Sequence, residues 1–164
     1  MSARTAALVA LLLAVAGACD DGERNEGGQV SAAGNLSVYD LKAGDCFNRN
    51  GKVATPEGED SPVEFVESVP CDESHESEVF GVFEHPLDPG FQFPGGRDVT
   101  KVAQDGCVDR FEDYIGTPFG DSDLLVAVIA PGEVSWVQEN DRTIVCLVNN
   151  GDKALEKSVK NSGD

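Results

Sequence analysis

From residue 98 to 115 apolar side chains recur at intervals of three and four. Val99, Val102, Ala103, Cys107, Phe111, Tyr114 and Ile115 fall on one stripe, which predicts a helix with one face against a core. Asp98 is read as its N-cap and Gly116 as the residue that turns the chain out, and Pro118 bars continuation. Gly106, inside the helix, weakens it by about 1 kcal/mol relative to alanine, so a close approach of helix to sheet is expected there.

The remaining pattern is that of strands. A short one starts at Asp45–Asn48 and another runs from Val63 to Val69. Glu78–Glu84 carries large apolar groups on both parities, Val79 with Phe83 and Phe80 with Val82, as expected of an inner strand covered on both faces. LLVAVIA (124–130) and RTIVCLV (142–148) are nearly continuous apolar runs. Trp136 follows Val134 on the same side of a further predicted strand and is read as a core residue, with QENDR turning the chain after it. Asn50-Gly51, TPEGEDSP (55–62) and HPLDPGFQFPGG (85–96) are turn and loop signals. The fold class expected is α+β, a small, mainly antiparallel sheet with one principal helix packed on it.

The ends differ from this middle. Arg4 precedes an apolar run from Ala6 to Ala16, then Gly17, Ala18 and Cys19. The run is too short to span a bilayer and is flanked like an export signal. Small residues before a single cysteine resemble a bacterial lipobox, with Ala16 where leucine is usual. Residues 1–18 are therefore expected to be a lipoprotein signal peptide and Cys19 the lipidated residue, palmitate among its chains. Residues 19–37 read as a flexible polar tether, 38–159 as the folded domain and 160–164 as a disordered tail.

Export gives the other cysteines a meaning. Cys46, Cys71, Cys107 and Cys146 are an even set, and two disulfides suit an oxidising compartment. Four cysteines allow three pairings. Cys46 and Cys71 each end a predicted strand in the first half, whereas Cys107 faces the core side of the helix and Cys146 lies in mid-strand. The pairing favoured is 46–71 with 107–146. Zinc would want a paired spacing such as C-x₂-C, which is absent. The formal net charge of −18 argues against a nucleic-acid partner and against electrostatic docking on anionic lipid.

The densest group of chemical side chains is VPCDESHESEVF (69–80). His75 with Asp72, Glu73, Glu76 and Glu78 suggests a divalent metal, but C-x₃-H with one histidine falls short of a zinc set and the calcium-loop pattern is missing. The reading taken is a turn between two strands, with His75 bonded to nearby backbone. There is no G-x-S-x-G, no G-x-G-x-x-G and no P-loop, so neither catalytic residues nor cofactors nor a metal are expected. Arg142 beside Asp141 is read as an exposed local ion pair.

Leu41-Lys42-Ala43-Gly44-Asp45-Cys46-Phe47, Val69-Pro70-Cys71 with His75, and Glu78-Val79-Phe80 stand in an order similar to the opening of the actinobacterial septum-formation domain family. Cys107, Phe111, Tyr114, Pro131, Ser135-Trp136, Asp141-Arg142 and Cys146 continue the resemblance. The family pattern often has glycine before Asp-Arg; here Asn140 stands there, and asparagine tolerates left-handed turn geometry. The resemblance implies a cell-envelope protein connected with septum formation and carries over no catalytic residues; with the anchor, the tether and the absence of a catalytic motif, the expected function is a non-enzymatic, lipid-anchored envelope protein on the outer face of the cell membrane. It would be an interaction or sensor module whose partners are the membrane, through lipid, and division or wall-synthesis proteins; the oligomeric state stays open. His75, Glu78, Trp136, Asp141 and Arg142 are the candidate interaction residues. The alternatives are a small wall hydrolase using His75 and a carboxylate, or a small-ligand or metal carrier.

Overall fold

The computed structural model describes residues 23–49 and 65–164. The expected signal segment, Cys19, the Asn50-Gly51 turn, the 55–62 loop and Val63 lie outside them.

Six antiparallel strands form one sheet. They are β1 (Gly34–Ser37), β2 (Cys46–Asn48), β3 (Phe65–Val69), β4 (Ser77–Glu84), β5 (Leu125–Ile129) and β6 (Thr143–Asn149), in the order β1-β3-β2-β4-β6-β5. The 20-residue helix α1 (Gly96–Ile115) lies on one face, and a short helix α2 (Glu133–Gln138) joins β5 to β6. The fold is thus the α+β arrangement expected. Among the described residues no helix is long and apolar enough to cross a membrane.

Strand β6 and the Ser77–Gly81 part of β4 are buried on both sides, which is why β6 is apolar on both parities. On the helix side, Ile144, Cys146 and Val148 pack with Phe80, Ala103, Cys107, Phe111 and Ile115. On the other side, Val145 and Leu147 pack with Val79, Val66, Phe47 and Leu36. One detail departs from simple alternation. The β4–β6 register shifts between Val79 and Gly81, so Phe80 is an extra residue on β4. Phe80 and Phe83 consequently both reach the helix-side core, while Val79 joins the opposite core and Val82 is exposed. The expected pairing of Val79 with Phe83 on one face is corrected by this bulge.

Helix α1 begins two residues before the expected start, with Gly95 rather than Asp98 as its N-cap. Gly116 ends it in the left-handed region (φ 93°), its N–H bonded to Glu112 O. At Gly106 a Cβ would lie 2.5 Å from Phe83 Cζ. The phenyl ring is covered in turn by the Arg110 guanidinium, 4.1 Å from its centroid. Gly106→Ala is therefore expected to lower stability by about 1 kcal/mol net, the strain of overpacking exceeding the gain in helix propensity. With Phe83→Leu in the background the same change should become neutral or stabilising, as urea unfolding of the four proteins would show.

The chain joins the fold earlier than expected. β1 already lies in the stretch read as tether, as the edge strand beside β3. Arg24 forms a two-pronged ion pair with the buried Asp45, at 2.6 and 2.7 Å. At the other end, the tail read as disordered returns to α1. Asn161 and Gly163 donate their N–H groups to the carbonyls of Tyr114 and Ile115, satisfying two acceptors of the helix's last turn. Leu155 and Val159 are buried.

Candidate functional site

The structure gathers the singled-out residues into two buried clusters at different places. The first is built where β3 turns into β4. Pro70 ends β3, Glu73 N–H closes a turn onto Pro70 O, and His75 then pairs with Leu155 through two backbone hydrogen bonds of 2.9 and 2.8 Å. That pairing buries His75 to 1% exposure. Its Nδ1–H donates to Glu73 O at 2.7 Å, so the expected bond to nearby backbone is present, but in an interior rather than a surface turn. Ser74 points elsewhere, donating to Glu156.

Glu78, fully buried on β4, is the centre of this cluster. Tyr114 Oη and Ser158 Oγ donate to its Oε1 at 2.6 and 2.7 Å, and Val159 N–H donates to its Oε2 at 2.8 Å. His75 Nε2 stands 3.9 Å from Oε2. Burial by itself disfavours the Glu78 carboxylate; His75 and the three donors outweigh it and hold its pKa below the ordinary value. Burial likewise disfavours a charged His75, yet Glu78, with the Glu73 carbonyl and Glu156, raises its pKa. Tyr114 is pushed up by burial and by its bond to Glu78, so it remains a donor. One carboxylate thus ties together β4, α1 and the C-terminal segment.

A ring nitrogen of His75, a carboxylate oxygen of Glu78 and Cys46 Sγ all lie within 4.8 Å of one another. The sulfur is bonded to Cys71, so while that disulfide is closed the group has no thiolate to offer a metal. Both disulfides have the favoured pairing, 46–71 and 107–146, with Cα separations of 5.2 and 5.4 Å.

The second cluster surrounds Trp136. This residue lies on α2, not on a strand, and it is buried while Val134 is exposed. Its Nε1–H donates to Phe91 O at 2.8 Å, and the rings of His85 and Phe93 meet it edge-on. The Arg142 guanidinium lies over the indole, 3.6 Å from its centroid. The guanidinium donates to the carbonyls of Trp136 and Asp141, while the Asp141 carboxylate accepts from Thr143 N–H. The exposed Asp141–Arg142 ion pair expected is thus replaced by a buried guanidinium stacked on an indole, the arrangement a planar cation favours. Burial and the nearby guanidinium depress the pKa of His85. Asn140 has φ 60°, the left-handed geometry for which asparagine is suited, and its side chain accepts from Gly90 N–H.

Four of the five candidate interaction residues, His75, Glu78, Trp136 and Arg142, are therefore interior supports, and Asp141 is half-buried. Sequence reasoning missed Tyr114 and Ser158 as partners of Glu78. It also missed the surface that the Trp136 clamp holds up, where Val134, Val137 and Phe91 are 65%, 66% and 57% exposed. The exposed pair at i and i+3 on α2, flanking a buried tryptophan, was the signal, visible only once that segment is a helix.

The family model for septum formation matches residues 43–164. No curated protein and no solved structure matches the chain.

Proposed function

Because this chain belongs to the septum-formation family, we propose that it is a non-enzymatic, lipid-anchored interaction module on the extracytoplasmic face of the cell membrane, serving septum formation. The observation that carries this reading is the division of labour between buried and exposed groups. The side chains with chemical reach are used inside the fold: Glu78 accepts from three donors and Arg142 is stacked on Trp136. Around α2 three large apolar side chains, Val134, Val137 and Phe91, face solvent beside the exposed Glu133, Gln138 and Glu139. A polysaccharide has no path to His75 at 1% exposure, so the fold favours contact over wall hydrolysis. The occupant we assign to this face is a protein of the division or wall-synthesis machinery with an apolar patch and a basic rim, complementary to a chain of net charge −18.

Proximity labelling in intact cells tests this, with the full-length protein tagged after Asp164. Division and wall-synthesis proteins should be enriched by the wild type and lost with V134E/V137E, which leaves Trp136 in place. Identical labelling by the two proteins would remove the proposed surface. The anchor is tested separately: Cys19→Ser should move the protein out of the membrane fraction, and unchanged partitioning would overturn lipidation.

A further inference from the structure

The two disulfides sit in different surroundings. Cys107 and Cys146 are both 0% exposed, within the helix-side core. Cys46 is equally buried, but Cys71 is half-buried and lines an open cleft of about 550 Å³ with Asn25, Gln29, Asp72 and Lys157. A small molecule can therefore approach the 46–71 bridge from the Cys71 side alone.

Behind Cys46 lies the group described above, within 4.8 Å: a ring nitrogen of His75 and a carboxylate oxygen of Glu78. Nδ1 of His75 carries a hydrogen, because it donates to the Glu73 carbonyl. Nε2 is therefore the nitrogen that gains or loses a proton. It is buried and has no hydrogen-bond partner among the described residues. Its charged neighbour is the Glu78 carboxylate, with Oε2 at 3.9 Å, beyond hydrogen-bond reach. Reduction of the disulfide would place a second acceptor, a Cys46 thiolate, in the same group.

We propose that Cys46–Cys71 is a thiol–disulfide exchange site, at which a low-molecular-weight thiolate entering the cleft attacks Cys71 and His75 receives Cys46 as the leaving thiolate. The attacking sulfur forms a bond to Cys71 Sγ. The Cys46–Cys71 bond breaks, and its electron pair goes to Cys46 Sγ beside the imidazolium. In the reverse direction Cys46 attacks Cys71 and expels the small thiol. A second external thiolate instead attacks its own sulfur in the mixed disulfide, leaving both cysteines reduced and releasing the oxidised small disulfide, a two-electron reduction with the external thiol as reductant. Leaving thiolates that are stabilised leave faster.

The charges around the group suit this step. Glu78 and Glu156 are the carboxylates facing His75, and both favour its protonated form. Glu78's own charge is met by Tyr114, Ser158 and Val159 N–H. Asp45, next to Cys46, is neutralised by Arg24. Lys157 lines the cleft, as Asp72 does, and is the cation there that an anionic thiol would meet.

The folded full-length protein would be exposed to reduced glutathione, quenched with acid, alkylated and mapped by peptide mass spectrometry. Glutathione is expected on Cys71 and the alkyl group on Cys46, with Cys107–Cys146 intact. His75→Gln, checked for its fold by circular dichroism, should slow the exchange about tenfold near neutral pH. That ratio should shrink toward one as the pH rises and wild-type His75 loses its proton. Glutathione on Cys46, or simultaneous opening of both disulfides only under unfolding conditions, would overturn the proposal without any variant. An equal rate in a folded His75→Gln protein would overturn the part given to His75.

Discussion

Replacing Glu78 by alanine is expected to lower the free energy of unfolding by about 3–5 kcal/mol, the cost of breaking a buried charged network by removing one partner. That is a large part of the roughly 5–15 kcal/mol that holds a domain folded. The reason is the number of groups that depend on one carboxylate. Tyr114 Oη, Ser158 Oγ and Val159 N–H all donate to it; the Tyr114 and Val159 donors would be left buried with no acceptor, whereas Ser158 borders the open cleft. Tyr114→Phe removes one donor and keeps the ring against Phe80, so its cost should be about 1–2 kcal/mol. In a double-mutant cycle by urea unfolding the two losses should be far from additive, because both act on the same bond. Additive losses would mean that the Tyr114–Glu78 bond contributes nothing.

The same network sets a pH window. Glu78 has a folded pKa below its ordinary value of 4.5, so its contribution is fully present above that value and is lost as pH falls through the folded pKa. His75 has a folded pKa above its ordinary value of 6.5, so its contribution is present below 6.5 and is lost as pH rises through the folded pKa. Stability should therefore be greatest in the mildly acidic range between the two values. His75→Gln should flatten the decline on the alkaline side and leave the acid side in place.

Much of this fold is written locally, and the exceptions have physical causes. The α1 stripe was legible because one helix face meets one core, and Gly106 marked the contact with Phe83 because only a residue without Cβ fits there. β6 was legible because both its faces are covered. β1 was not: it is an edge strand of Gly, Asn, Leu and Ser in which Leu36 is the one buried side chain, so no alternation distinguishes it from a tether. The β4 bulge was hidden because inserting one residue into a run that is apolar on both parities leaves the pattern unchanged. The alternation of Val134 with Trp136 reads as one side of a strand, yet Val134 is exposed and the segment is helical. At the candidate site, His75 and Glu78 stood out by their chemistry. Their partners did not, since Tyr114 and Ser158 lie 36 and 80 residues from Glu78 and nothing local marks them.

Opening the Cys107–Cys146 bridge, by replacing both cysteines with alanine, is expected to cost about 4 kcal/mol from loop-closure entropy in the unfolded chain alone. The bridge closes a loop across 39 positions of sequence and joins α1 to the sheet at β6. Cys46–Cys71 spans 25 positions, for which the same reasoning gives about 3.5 kcal/mol, so loop length barely separates the two. The surroundings do. Both cysteines of the 107–146 bridge are fully buried in the core that holds Phe80, Phe111, Ile115 and Ile144, and alanines leave that space empty, adding a cavity cost. Cys71 borders an open cleft, which water fills when the side chain is shortened. C107A/C146A should therefore melt well below C46A/C71A when the two double variants are compared in thermal and urea unfolding. If the order were reversed, the helix-side core would not be what the 107–146 bridge secures, and the principal constraint on the fold would lie at the β2–β3 end of the sheet.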